Sequence, residues 1–199
     1  LTQSAGVEDD ILNDNHPERL AVLFKASQLL GTVFDDTELH QRLLELALDS
    51  VPARRGFLLE RNADGAVSIL AHRSLDDDKN GPPLSRALIG EALTHGDAVL
   101  TLDARNDARF NNSASIVSHE IHSAMCVPLV GRKGICGALY ADSGARTIRF
   151  SEDDLTLLTA IARLAGIAIE NARLHRQAIE QERLAALGMA TANLGHCMK

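Results

Sequence analysis

From Phe150 to Lys199 the chain runs fifty residues without a proline, so a helix begun at Phe150 has nothing that must stop it. Ser151 and Asp154 stand at capping-box spacing, with Asp154 where Glu or Gln is more usual. The Ser151 hydroxyl can then take the amide of the third helical residue, and Phe150 can staple onto Leu155. Such a helix would be roughly 70 Å long, about twice the width of a small domain. Its two halves must therefore face different surroundings. Leu155, Leu158, Ile161, Leu164, Ile167 and Ile169 form a broad apolar surface that has to pack on something. Beyond Asn171 the apolar residues thin to Leu174, Ala178 and Ile179 among Arg173, Arg176, Glu180, Glu182 and Arg183. A narrower seam continues through both halves. Leu164, Ile167, Asn171, Leu174, Ala178, Gln181, Ala185 and Gly188 alternate by three and four, an a/d heptad. Polar Asn171 and Gln181 cost stability in such a seam but fix the register of two identical helices. The pattern predicts a helix that leaves one domain and pairs with a second copy.

The 199 residues, 45% hydrophobic and 24% charged, suffice for one core with appendages. Net charge is −7 and the 20 basic residues are scattered, which argues against nucleic acid or an acidic membrane as partner. No apolar run approaches the roughly 20 residues of a membrane span, and no signal-peptide pattern opens the chain. The first residue is Leu and the last helix stops without a cap, as in a piece of a longer protein. Three cysteines make no disulfide framework. Cys126 and Cys136 flank a hairpin at Arg132-Lys133 that sets Cys136 opposite Leu129. That is three residues from Cys126, about 10 Å along the strand, where a disulfide needs alpha carbons within about 7 Å. Reduced thiols place the chain in the cytoplasm.

Residues 1–15 are polar and acidic and read as linker or disorder. His16-Pro17 opens a helix with Leu20, Leu23, Phe24, Ser27, Leu30 and Gly31 on one face. Asp35 or Asp36 caps a second, with Leu39, Leu43, Leu46 and Ala47 on one side and Pro52 beyond its end. Extended segments 56–61 and 66–71 flank Asn62-Ala63-Asp64-Gly65, a hairpin signal. Residues 84–95 have helical spacing and stop before Gly96; 98–102 form a short strand and 113–121 a short helix. Segments 124–130 and 135–141 are apolar on both faces, as central strands are. Pro128 inside the first predicts a bulge there. Hairpin-joined strands imply a mostly antiparallel sheet, and the excursion over 76–122 has the length of a binding segment laid across it.

The ordered motifs F-K-A-S-Q-L-L, R-R-G-F-L-L-E-R, D-A-R-N-D-A-R-F, S-A-M-C-V-P-L, G-A-L-Y-A-D-S and F-S-E-D-D-L-T-L-L, within residues 18–172, resemble the GAF domain family. The resemblance implies an α+β fold, an antiparallel sheet of about six strands between helical layers, with the long C-terminal signalling helix following. First and last helices would share one face and form a homodimer; the other face would hold a small-molecule pocket roofed by residues 84–121. Asn106, Phe110, Ser115, His119, Cys126 and Tyr140 are the candidate ligand-binding residues. GAF domains that bind cyclic nucleotides carry Asn-Lys after the fifth strand, then Phe and Asp-Glu. Here those positions are Asp142, Ser143, Phe150, Asp154 and Leu155, so the Lys–Asp latch is absent and Asp154 belongs to the helix cap.

R-L-A-A-L-G-M-A-T-A-N-L-G-H-C-M-K, residues 183–199, resembles the start of the phosphoacceptor helix of sensor histidine kinases, with His196 at the phosphorylated position. Cys197 replaces the usual acidic partner. His119, His122 and Cys126 do not complete a four-ligand metal set. No residue pattern identifies a cofactor, and no catalytic constellation is present. The combined expectation is a linker (1–15), a GAF sensory domain (16–172) and a signalling helix (173–199) entering a histidine-kinase dimerisation helix. The piece itself would be non-catalytic. The competing expectation is a ligand-free GAF scaffold ahead of a nucleotide cyclase or a transcriptional activator.

Overall fold

The computed structural model describes residues 2–3, 21–22, 24–26, 28, 35–75, 84–102, 122–143 and 148–197, with side chains as far as residue 185. Strand β1 (Thr2–Gln3) is followed by helix α1 (Asp36–Ser50) and the hairpin β2 (Arg55–Arg61) and β3 (Val67–Ser74). Helix α2 (Arg86–His95), strand β4 (Ala98–Thr101), the hairpin β5 (Ala124–Gly131) and β6 (Gly134–Asp142), and helix α3 (Glu152–Cys197) complete the order. The strands form one six-stranded sheet in the order β1-β4-β5-β6-β2-β3, every neighbouring pair antiparallel. Thr2–Gln3, inside the segment expected to be linker, pair with the β4 edge; the expected helix over 113–121 lies outside the described residues.

The helix ends follow local chemistry. Asp35 accepts the Glu38 amide at the start of α1, and Ser85 accepts the Leu88 amide at the start of α2. Gly96, at φ 78°, closes α2 in the left-handed conformation, its N–H bonded to the Ala92 carbonyl. At α3 the capping box is reciprocal. The Asp154 amide donates to Ser151 Oγ at 3.1 Å and the Ser151 amide to Asp154 Oδ2 at 2.8 Å.

Helices α1 and α3 cover one face of the sheet and α2 the other, so β5 and β6 are apolar on both sides. Leu39, Leu43, Leu44, Ala47 and Leu48 of α1 share a core with Leu155, Leu158, Ile161, Ala162, Ala165 and Ile169 of α3. Three expectations about faces are corrected. In α1, Leu44 and Leu48 are buried and Leu46 only half-buried. Among residues 21–28, Val22 and Ala26 pack inward while Phe24 is 64% exposed. In α3 the small residues Ala162, Ala165 and Ala168 face the core, whereas Leu164 is half-buried and Ile167 exposed. Gly166 explains that rotation. A Cβ there would stand 2.7 Å from both the nitrogen and the carbonyl oxygen of Val130, so the helix backbone rests almost on β5.

Pro128 pairs regularly with Ala138, and the register shift falls one residue later, between Leu129 and Val130. Pairing with β4 ends at Cys126, so Pro128 stands where β5 has β6 alone beside it and a missing N–H is tolerated. The shift sets Gly137, not Cys136, opposite Leu129, and Cys126 opposite Tyr140; both thiols are free. The stretch Glu152–Ala185 corrects another expectation, being long and apolar enough to cross a membrane by length and composition alone. Half of its most apolar window is buried in this fold.

The close approach at Gly166 predicts that Gly166→Ala lowers unfolding stability by about 1–3 kcal/mol, because the new methyl meets backbone that cannot yield. Gly90, inside α2 with open space around it, predicts the reverse for Gly90→Ala, a gain of about 0.5–1 kcal/mol. Denaturant midpoints of the two variants check both.

Candidate functional site

The α2 face carries a buried ion pair, Arg55–Asp142, and the buried hydroxyls of Tyr140 and Thr101. Cross-strand partners project to the same side of a sheet, so pairing registers define rows. One row runs Thr101–Ala124–Asp142–Arg55–Ser74 across β4, β5, β6, β2 and β3. The next on that face runs Val99–Cys126–Tyr140–Phe57–His72. Helix α2 lies over both with Leu88, Ile89, Ala92 and Leu93. The part of the expected roof formed by α2 is thus packed directly on the strands, Leu88 and Ala92 being wholly buried.

Arg55 opens β2 and Asp142 closes β6, and antiparallel pairing sets them side by side. Arg55 Nε donates to Asp142 Oδ1 at 2.7 Å, the two side chains 5% and 0% exposed. A buried pair of this kind gains less than its contact suggests, because both ions give up water, yet removing one partner is severe. Tyr140 is fully buried beside it. Burial first, then the neighbouring Asp142 carboxylate, hold its phenol well above the usual tyrosine value, with Arg55 pulling the other way. The phenol is therefore neutral, its hydroxyl lying toward the Asp142 carboxylate but in no hydrogen bond of regular geometry among the described residues. The Thr101 hydroxyl, also buried, has none either. Phe57 completes an aromatic row, 6.0 Å from Tyr140 in a tilted arrangement and 6.1 Å from His72 in a stacked one.

Of the residues expected to bind a ligand, Cys126 and Tyr140 come together as cross-strand partners under α2. Asn106, Phe110, Ser115 and His119 lie outside the described residues. His196 falls within α3, seventy residues on in sequence from Cys126. Burial raises the Cys126 thiol to about 12 and leaves it a small apolar side chain rather than a nucleophile. No group of three His, Cys, Asp or Glu able to hold a metal occurs among the described residues. Sequence inspection missed Arg55, Phe57 and Thr101. Part of the signal was present in the charges themselves, since Arg55 begins one apolar strand and Asp142 ends another, but only the long-range pairing of β2 with β6 brings them together.

A family model for the GAF domain matches residues 35–170, which span strands β2 to β6, α1, α2 and the sheet-bound part of α3. This chain belongs to the GAF domain family. Solved GAF domains share the fold. That of a phosphoenolpyruvate-protein phosphotransferase from Acinetobacter superposes with a TM-score of 0.64 at 16% identity, covering 80% of this chain and 96% of that one. The GAF domain assigned to a sensor histidine kinase of Pseudomonas syringae pv. tomato gives 0.56 at 19% identity, covering 82% and 93%. Among curated proteins, a dual 3',5'-cyclic-AMP and -GMP phosphodiesterase 11A from Takifugu rubripes is 32% identical over 95 residues, 46% of this chain. The chain spans only about 10% of that relative's length. In this GAF domain the positions of the cyclic-nucleotide latch serve other ends. Asp142 binds Arg55, Ser143 bonds to Ser123, and Asp154 caps α3.

Asp142→Asn should cost about 3–5 kcal/mol, since it takes the carboxylate from a buried guanidinium; Arg55→Met/Asp142→Leu should cost far less. Equal losses in urea melts would mean that shape rather than charge holds these strand ends. Cys126 should resist iodoacetamide until the protein unfolds, because a thiol near 12 instead of 9.0 holds roughly a thousandfold less thiolate. Peptide mass mapping of native and urea-unfolded samples reads this directly.

Proposed function

We propose that this GAF domain is the cytoplasmic sensory and dimerisation module of a sensor histidine kinase, and that α3 carries its signal toward His196. The carrying observation is the division of α3. Its first turns are buried on the sheet, while Ile167, Leu174, Ile179 and Leu184 remain 38–60% exposed. Ile167, Asn171, Leu174, Ala178, Gln181 and Ala185 keep heptad spacing along this exposed length. A helix so apolar on its outer side gains by meeting a copy of itself. Phe24, exposed on the same helical layer, extends the surface that two protomers would share.

On this reading a small molecule recognised by the candidate ligand residues Asn106, Phe110, Ser115, His119, Cys126 and Tyr140 sets the pairing or rotation of two α3 helices. Continuing the heptad puts Gly195 at a d position and His196 at e, on the flank of the pair where a kinase domain can reach it. Cys197 stands where an acidic partner would orient and deprotonate the imidazole, so phosphotransfer here would have to proceed without that carboxylate.

The full-length protein supplied with labelled ATP should acquire acid-labile phosphate that His196→Gln abolishes. Undiminished labelling in that variant removes the phosphoacceptor assignment and leaves another output domain. Separately, Ile167→Glu/Leu174→Glu should convert a dimer to monomers in sedimentation velocity at micromolar concentration. A wild-type chain already monomeric there defeats the paired-helix reading.

A further inference from the structure

In sequence, residues 103–121 join the end of β4 to His122 and Ser123, which lead into β5. One buried side chain bridges the two ends of this connection. Ser123 Oγ donates to the Thr101 carbonyl at 2.9 Å. The same oxygen accepts the Phe150 amide at 3.4 Å, one residue before the Ser151 cap of α3. The Ser123 backbone is held as firmly: its N–H donates to Ser143 Oγ at 3.1 Å, and its carbonyl accepts the Ser143 amide at 3.0 Å. Ser143 directly follows Asp142, whose side chain binds Arg55. Ser123 therefore touches the end of β4, the start of β5, the end of β6 and the approach to α3, and it is wholly buried, as is Ser143.

Nothing about packing requires a hydroxyl at this spot. Four chain segments converge there at the sheet end that carries the Thr101–Ala124–Asp142–Arg55 row. A side chain with one donor and two acceptor sites can join three of them; an alanine of nearly the same size can join none. Each bond is short-range and directional, so a shift of the row changes the geometry presented to the Phe150 amide.

We infer that Ser123 is the positioning residue that couples the α2-face site to the start of the signalling helix. A change at the Thr101 row moves the Ser123 hydroxyl, and that hydroxyl moves the first turn of α3. The inference rests on α3 being the output of the domain, but it does not depend on kinase chemistry or on pairing.

The test needs no ligand, because Thr101→Val perturbs the row while retaining the carbonyl that Ser123 binds. Amide hydrogen exchange over residues 148–156 is compared in four whole chains: wild type, Thr101→Val, Ser123→Ala and the double variant. With Ser123 present, Thr101→Val is expected to change exchange at Phe150 and the first α3 turn by roughly threefold or more. In the Ser123→Ala background the same substitution should leave those amides unchanged, a non-additivity that a merely structural serine does not produce. The same change in both backgrounds, or none with Ser123 present, overturns the inference. Should Ser123→Ala fail to fold, Ser123→Cys fills the site with a weaker hydrogen-bonding group and should blunt the transmission in its place. Loss of His196 labelling would leave this result standing, and loss of this coupling would leave His196 untouched, so the two proposals fail separately.

Discussion

The contact between Gly166 and the Val130 backbone sets the arrangement of this molecule. Because no side chain intervenes, α3 settles close on β5, and Ala162, Ala165 and Ala168 fill what little space remains. Close approach brings many weak dispersion contacts within range and excludes water from the strand beneath. It also fixes how the helix is rolled about its axis. With the small residues inward, Ile167 must point away from the sheet, and the exposed stripe that begins there is a direct consequence. Glu170 then takes the Arg132 amide at the β5–β6 turn, and Arg176 meets Asp36 at the start of α1. Past these ties the described side chains, Gln177 to Ala185, are all exposed.

The two faces of the sheet differ in chemistry. The face under α1 and α3 is mostly an aliphatic core, with His40 and Thr159 buried on the covering helices. The face under α2 combines apolar packing with a buried ion pair, a buried phenol and a buried threonine hydroxyl. Apolar replacements of equal volume would commonly serve stability as well or better than a buried ion pair. Stability alone therefore gives no reason for Arg55 and Asp142 to lie on this face. Their position in the row that ends beside Ser123 gives them a mechanical one. They hold the start of β2 against the end of β6, the strand from which the chain goes on to α3.

Much of this was legible in the residues, and what escaped has a common cause. Capping chemistry is local, so Ser151–Asp154 and the Gly96 stop could be read directly, and the cap of α1 was narrowed to Asp35 or Asp36. Apolar runs with hairpin signals gave the central strands for the same reason. Burial direction on helices was less readable, because hydropathy gives little weight to Ala and Gly, which decide how near two elements can come. Hence Leu164 and Ile167 looked like core while Ala162, Ala165 and Gly166 are the inner face. The bulge was sought at Pro128, where an N–H is missing; it formed at Leu129/Val130, beneath the helix contact, which no local signal marks. The ion pair needed register, a long-range quantity, and Arg55 and Asp142 are 87 residues apart. Of the candidate ligand residues only Cys126 and Tyr140 fall among those described, and they do meet.

The rigidity of α3 explains why small movements at one end of the sheet would matter at the other end of the helix. A helix of 46 residues is about 69 Å long at 1.5 Å per residue. Tilting it by a few degrees about the Gly166 contact displaces its far end by several ångströms, while the strands beneath move by fractions of one. The reserve for such a tilt lies in the interactions around the contact. Aliphatic packing on β5 is dense but non-directional, whereas the Phe150 amide is held through a single hydroxyl at 3.4 Å, longer than most backbone bonds. On the inference drawn for Ser123, the Phe150 tie is the one that yields and the Gly166 contact the one that holds. A lever with a fixed fulcrum and a compliant short arm is driven from the short arm, which is where Ser123 sits.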